Sequence, residues 1–552
     1  MLRLRHRWTG PALACLLLAV VHTWPLATAP GTLSRNDNGD AQLNEWIMAW
    51  VAHQLPRDPA RLFQGNIFHP SRDTLAFSEP LIVPAVLGAP VAWLGGSPVL
   101  VFNLLVIAGF ALTALAGYAL VFAWTGDRAA GLLAGSMFAF NTHTLTRLAH
   151  VQGLHLYGLP LALLATDRMI TGEGRRDWLW LALWMSVMAY TSGYLVVFAV
   201  VMIAVALVAR APEWWRRAPG VLGAFALAAA SSAIAIVPLY LSYRRVARTE
   251  HMTRPLEGVI EYSATLKGYL AAAGTMHIST WSGRFFKDPV DSFFPGFVVI
   301  VLATFAVWSA LRGRHEESAG PLDRPLRRGR VVMLVAIAAT GFVLSLGTRT
   351  PIYAWLYAVF PPMQGLRAAA RFGNLFLFGM AALAGLGIAS MRRAPARSWR
   401  AAIVAALVLA AANVESLRAP FAYRRFTGVP HLYDLVAQHA GPVVLAEMPF
   451  YPRQAVFENA EYVLNSTAHW RPLMNGYSGY TPESYGRYAD DFWHFPEDRA
   501  IQAMRRAGVT HVMVHPARFR GDAATIVQQT SERPELELLG VGASGLRLYR
   551  LH

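Results

Sequence analysis

The sequence predicts a polytopic α-helical membrane protein with about 11 transmembrane helices and a small C-terminal extracytoplasmic α/β domain. Three observations predict it. Of 552 residues, 55% are hydrophobic and 15% charged, whereas a soluble globular chain carries about a quarter charged residues. The apolar residues fall into long uncharged runs with arginines clustered between them. Beyond residue 417 the apolar runs shorten and the charge comes close to balance. This composition excludes a soluble enzyme, a disordered chain and a collagen-like fibre. The single cysteine, Cys15, excludes intrachain disulfides and cysteine-based zinc sites. The net charge of +16 would suggest nucleic acid for a soluble protein; here the arginine loops account for it, and no nucleic-acid partner is expected.

The N-terminal MLRLRHRW precedes an apolar run from about Pro11 to Thr28. It reads as a retained first span, with a signal peptide cleaved near Ala27-Thr28-Ala29 as the alternative. Either places Pro30 outside the cytoplasm. Ten further runs follow, at 98–123, 128–146, 154–170, 177–190, 193–210, 219–243, 294–311, 330–348, 371–391 and 401–416. Tyr190 to Tyr194 reads as a tight turn between two of them. The run 80–95 carries Pro80, Pro84 and Pro90 and reads as an interfacial helix, because proline breaks the helical ladder.

Charge supports that choice. With eleven spans and the N-terminus inside, the cytoplasmic loops hold Arg168, Arg175 and Arg176; Arg216 and Arg217; Arg312, Arg314, Arg324, Arg327, Arg328 and Arg330; and Arg392, Arg393, Arg397 and Arg400. The loop 29–97, the loop 244–293, the segment 349–370 and the tail then lie outside. A domain boundary at 417 separates the transmembrane module, 1–417, from the tail, 418–552. The tail's strand-like runs are GPVVLAEMPF, VTHVMVHP and LELLGVGASGLRLYRL. Pro496 to Ala507 reads as an amphipathic helix ended by Gly508, so the tail is expected to be α/β.

Four clusters could carry chemistry. Asp37, Asp40 and Glu45 open the first external loop. Carboxylates there suit a general base or a divalent-cation site, while Asp40 could equally cap a helix and Glu45 face solvent. The same loop holds His69 and Glu79. His143, Arg147 and His150 follow at i, i+4 and i+7, which on a helix is one face; they either mark the interface or form a bundle-facing functional cluster. Arg367 and Arg371, spaced i, i+4, could clamp a phosphate or snorkel. In the tail, Trp470 and Tyr477 belong to a polar, aromatic, glycine-containing loop suited to sugar rings, or to an ordinary turn. No Walker-type loop, HExxH or serine elbow is present.

The order of parts resembles the GT-C superfamily of integral-membrane glycosyltransferases, which use polyprenyl-phosphate-linked sugars. The resemblance covers most of 1–417. Gly39-Asp40 through Trp46, Phe68-His69-Pro70, Ser78-Glu79, Arg147 to His150 and Arg367 through Phe372 are similar to a bacterial branch of it. It implies a GT-C-like fold in the bacterial inner membrane, with the N-terminus cytoplasmic and the tail periplasmic or extracellular. It implies inverting transfer to a glycan, lipid or protein acceptor. In that reaction Asp40 is the base, with Asp37 second, and Arg367 and Arg371 hold the donor phosphate. Glu45, His69, Glu79, His143, Arg147, His150, Trp470 and Tyr477 would line the substrate. Between Asn141 and Gly158 the sequence departs from metal-dependent members, offering no acidic residue. A metal-independent site is therefore expected, with a Mg or Mn ion as the alternative. The competing readings are a lipid-linked-glycan transporter or flippase and a non-catalytic envelope assembly protein.

Overall fold

In the computed structural model the described residues are 2–174, 176–250, 255–286, 288, 290–312, 323–391, 399–519, 521 and 523–552. Arg175, Arg314, Arg392, Arg393 and Arg397, assigned above to cytoplasmic loops, lie outside them. Each of the eleven apolar runs holds a helix. In chain order the helices are α1 (Leu2–His22), α2 (Gly39–Gln54), α3 (Ile82–Trp93), α4 (Pro98–Thr125), α5 (Arg128–Ala139) and the single turn α6 (Thr142–Leu145). Then come α7 (Gly158–Thr171), α8 (Asp177–Thr191), α9 (Gly193–Ala209), α10 (Ala211–Trp214), α11 (Ala218–Thr249) and α12 (Thr275–Thr280). The remaining apolar helices are α13 (Phe297–Arg312), α14 (Asp323–Ser345), α15 (Pro351–Val359), α16 (Gly373–Met391) and α17 (Trp399–Ser416). Among the described residues, five helical segments are long and apolar enough to cross a membrane: Pro98–Thr125, Ala211–Thr249, Arg327–Ser345, Ala369–Met391 and Trp399–Ser416. The protein is an integral membrane protein.

The expected ends shift where side chains compete for the backbone. The first helix starts well before Pro11 and stops at His22, because Pro25 cannot extend the hydrogen-bond ladder. The run 128–146 is not one helix. Asn141 accepts from the Thr144 N–H at 3.0 Å and donates to the Phe138 carbonyl at 2.5 Å, so α5 closes at Ala139 and a separate turn begins. Proline has a milder effect in the run 80–95, where α3 continues through Pro90.

The chain divides into two compact units. The first comprises Met1–Ala29, Leu104–Pro238 and Thr253–Ala422. Its centre is α16, apolar on every side and packed against α5, α13 and α14. A helix apolar all round is either buried by protein or covered by lipid. The segment holding α16 is 83% buried, whereas that holding α11 is 17% buried. Ends of α4, α7, α9 and α14 converge on Asp167: Arg330 Nη2 reaches its Oδ2 at 2.8 Å, Trp124 Nε1 donates to the same oxygen at 2.8 Å, and the buried Arg210 pairs with Oδ1.

The second unit comprises Pro30–Asn103, Leu239–Met252 and Tyr423–His552. The first external loop and the tail therefore fold together. Strand β1 (Leu33–Ser34) pairs antiparallel with β2 (Arg424–Arg425). Four more strands, β3 (Leu445–Met448), β4 (His511–Val514), β5 (Leu536–Val541) and β6 (Arg547–Leu551), form a sheet in the order β3-β4-β6-β5. Within this sheet only β3 and β4 pair in parallel, and both are buried throughout, Glu447 and His511 included. The helices here are α18 (Tyr433–Gln438), α19 (Ala460–Asn465), α20 (Glu483–Phe492), α21 (Asp498–Arg506) and α22 (Ala523–Ser531). Gly508, at φ 76°, ends α21 before β4.

Candidate active site

In the second unit, Asn38 caps α2 by accepting the Asp40 N–H at 2.9 Å. Asp40 is thus not the cap. It stands half-buried in the first turn, where helix amides favour a carboxylate. The Tyr477 hydroxyl donates to Asp40 Oδ1 at 2.6 Å, which joins two residues 437 positions apart. Asp37 is exposed and pairs with Arg35 at 3.1 Å.

Tyr477 is held by a short ladder between loop and tail. Phe68 N–H donates to Asn475 O, His69 N–H to Leu473 O, and Leu473 N–H to Asn66 O, at 2.8–3.0 Å. Asn475 also reads the backbone of buried Glu447, accepting its N–H at 2.7 Å and donating to its carbonyl at 2.9 Å. Glu45 does not face solvent. It is fully buried in α2, and the Asn36 amide lies 2.9 and 3.2 Å from its two oxygens when oriented to donate. Burial pushes the Glu45 carboxyl well above the ordinary glutamate value, and the Asn36 hydrogen bond offsets only part of that. His69 is half-buried, which lowers its imidazole below the usual histidine value. Glu79 is half-buried just before α3. Trp470, at φ 56°, stacks on His53 at 4.4 Å with Trp50 edge-on at 5.7 Å.

In the first unit, His143, Arg147, His150, Tyr194, Arg371 and Asn374 line one cavity. His143 lies in α6 while Arg147 and His150 follow in irregular backbone, so the three do not share a helical face. They converge all the same, because Asn141 breaks the helix and the chain folds back on itself. His143 is buried and stacks on Phe293 at 4.6 Å. The charges of both Arg147 and Arg371 act on it.

Arg367 and Arg371 likewise do not share a helical face. Between the 3₁₀ turns Pro361–Gly365 and Ala369–Phe372, Leu366 is extended and Ala368 non-helical; α16 begins only at Gly373. Arg367 is exposed, its guanidinium 4.3 Å over the Tyr262 ring. Arg371 turns into the cavity, its guanidinium 4.4 Å over the Tyr194 ring.

The cavity's nitrogen donors include arginine, histidine and asparagine side chains, with no carboxylate in its wall. That set fits an anion with several oxygens and does not fit a hard divalent cation. Among the described residues no three of His, Cys, Asp and Glu gather as a metal site. The sequence reading missed Tyr194, Asn374, Asn36 and His53. For Tyr194 the one signal was the Ser-Gly-Tyr turn, which marks a helix start and not a ligand.

No family model and no curated protein matches the chain. Solved structures do. Over 99% of its length the chain is similar to the arabinofuranosyltransferase AftD from Mycobacteria, at 16% identity and a TM-score of 0.60, and it spans 41% of that protein's length. It also matches the archaeal oligosaccharyltransferase AglB from Archaeoglobus fulgidus, solved with an inhibitory peptide and a dolichol-phosphate. There the identity is 12%, the TM-score 0.48, and coverage 99% of this chain and 74% of the other. ArnT from Cupriavidus metallidurans, solved with undecaprenyl phosphate, matches at 13% identity and a TM-score of 0.42, with 98% of each chain covered. The likeness to AftD shows that this chain has a GT-C fold.

Proposed function

We propose that this GT-C fold performs inverting transfer of a sugar from a polyprenyl-phosphate donor to an extracytoplasmic glycan, lipid or protein acceptor. The observation that carries the reading is the cavity in the first unit, where Arg147 and Arg371 converge with His143 and His150 and no carboxylate opposes them. A leaving polyprenyl phosphate is an anion that such a cavity stabilises. Preorganised positive charge against a developing phosphate contributes on the order of 3 kcal/mol or more. Asp40 is the base. It takes the proton of the acceptor hydroxyl as that oxygen attacks the anomeric carbon, while the bond from that carbon to the phosphate oxygen breaks. The electron pair leaves with the phosphate. Tyr477, bonded to Oδ1, orients the carboxylate. Arg367, exposed beside Tyr262 and not part of the cavity's lining, adds positive charge to the turn that carries Arg371. The site works without a metal. The bundle crosses the bacterial inner membrane eleven times, the shorter apolar helices completing the five of full length, with the tail outside.

The test uses purified full-length chain in detergent with a panel of polyprenyl-phosphate sugars, following release of the lipid phosphate. Asp40→Asn is expected to fold and to lose roughly 100-fold or more in turnover, the scale of general-base catalysis. Asp37→Asn is expected to lose far less. Near-normal turnover in Asp40→Asn would move the base elsewhere, to Glu45 or Glu79.

A further inference from the structure

Tyr194 opens α9, its N–H accepted by the side chain of the capping residue Ser192 at 3.2 Å. It touches the arginine-bearing turn twice. Its hydroxyl oxygen accepts the backbone N–H of Arg367 at 3.0 Å and of Ala368 at 2.9 Å. Its ring lies under the Arg371 guanidinium at 4.4 Å. One side chain thus sets the course of residues 366–372 and the direction of Arg371.

The hydroxyl's own proton is a separate matter. A phenol has one donor and two acceptor sites. Both acceptor sites are occupied by the two amides, and among the described residues none receives the proton. Tyr194 also lines the cavity with Arg147, His150 and Arg371. Two N–H groups donating to one oxygen draw electron density from it and strengthen the bond its O–H can give.

We propose that Tyr194 is a phosphate-binding residue of this cavity: its hydroxyl donates to a phosphate oxygen of the lipid while its ring aims Arg371 at the same group. This rests on the phosphate reading of the cavity given above. A phosphate monoester offers three oxygens, and the cavity then meets it with two guanidinium forks, a phenol and imidazole N–H. The flat Tyr194 ring keeps the Arg371 fork in one plane, so less freedom is lost when the fork binds.

The experiment measures binding of undecaprenyl phosphate to the purified full-length chain in detergent micelles, with undecaprenol and inorganic phosphate in parallel. The variants are Tyr194→Phe, Tyr194→Leu, Arg371→Ala and the Tyr194→Leu/Arg371→Ala double variant. Tyr194→Phe keeps the ring but also leaves the Arg367 and Ala368 N–H groups without their acceptor, so it is measured in the Arg371→Ala background as well, where loss of a direct donor still weakens binding and a hydroxyl that acts only through the turn and Arg371 has no further effect. Tyr194→Phe is expected to raise Kd about 10-fold, the worth of a hydrogen bond to a charged group. Tyr194→Leu is expected to lose more, and the double variant less than the product of the two single effects, because both residues act on one phosphate. Undecaprenol binding should not respond to Tyr194→Phe. If Tyr194→Phe binds undecaprenyl phosphate as the wild type does while Arg371→Ala is weakened, the assignment of Tyr194 is overturned and the cavity reading stands. If Arg371→Ala also binds normally, the cavity reading falls with it. A Tyr194→Phe loss shared by undecaprenol overturns donation to phosphate. Tight inorganic-phosphate binding with the same variant pattern keeps Tyr194 as the donor and overturns the lipid as the source.

Discussion

Asp40 and Tyr477 meet at 2.6 Å although the sequence separates them by 437 positions, and the contact changes what each residue is for. Asn38 takes the cap, which leaves the Asp40 carboxylate to be aimed by a phenol. Glu45, five residues on, has the opposite environment, buried with the Asn36 amide as its hydrogen-bond donor among the described residues. That burial has a measurable consequence. A carboxyl whose folded pKa is raised binds more protons in the folded state, so stability falls as pH rises from the ordinary glutamate value through the raised one. Glu45→Gln carries no charge at any pH and removes that fall. Melting temperatures between about pH 5 and pH 8 should show a declining wild-type profile and a flatter, higher one for Glu45→Gln at the neutral end. Parallel profiles would show that Glu45 is compensated by contacts beyond Asn36.

Elements behaved differently according to whether period alone decides them. The helix expected up to Gly508 is present as α21, and the strand-like runs of the tail are β3 to β6. The i, i+4 pairs His143/Arg147 and Arg367/Arg371 were not helical faces, because Asn141 and the Pro361–Gly365 turn redirect the backbone. Both segments still deliver basic groups to one cavity, which spacing could not reveal. The loop that carries Tyr477 depends on a close approach at Gly476. A Cβ there would lie 2.5 Å from the Phe68 ring, and Phe68 is itself boxed by Phe77 and Tyr485. Gly476→Ala should therefore cost about 1–3 kcal/mol, as overpacking does. It should also displace Tyr477 from Asp40, lowering turnover more than it weakens donor binding. Chemical denaturation and steady-state kinetics check both parts; an unchanged denaturation midpoint would mean that the ring moves aside freely.

For the whole molecule the arginine distribution makes one orientation testable. With the N-terminus inside, the 311–330 loop is cytoplasmic and the tail is outside. The native Cys15 is buried, so background labelling is low. In intact cells an impermeant thiol reagent should leave a cysteine at Ser318 unmodified and label one at Ser531. Ser318 lies outside the described residues, but labelling reads only its side of the membrane. The reverse pattern would put Asp40 and the tail in the cytoplasm and remove the extracytoplasmic reaction.

The membrane class, the helix in each apolar run, the α/β tail and the pool of candidate residues were all legible in the sequence. Each follows from local quantities: the hydrophobicity of a run, its period, its charge and the prolines and glycines at its ends. The first external loop's folding with the tail, Glu45's burial, Asp40's bond to Tyr477 and the grouping of Arg371 with Arg147 and Tyr194 were decided by tertiary structure alone. A single chain's sequence encodes long-range pairs without any periodic signal. Which polar groups meet depends on where irregular backbone turns, and at 141–150 and 361–372 that is settled by hydrogen bonds and packing from residues far away along the chain.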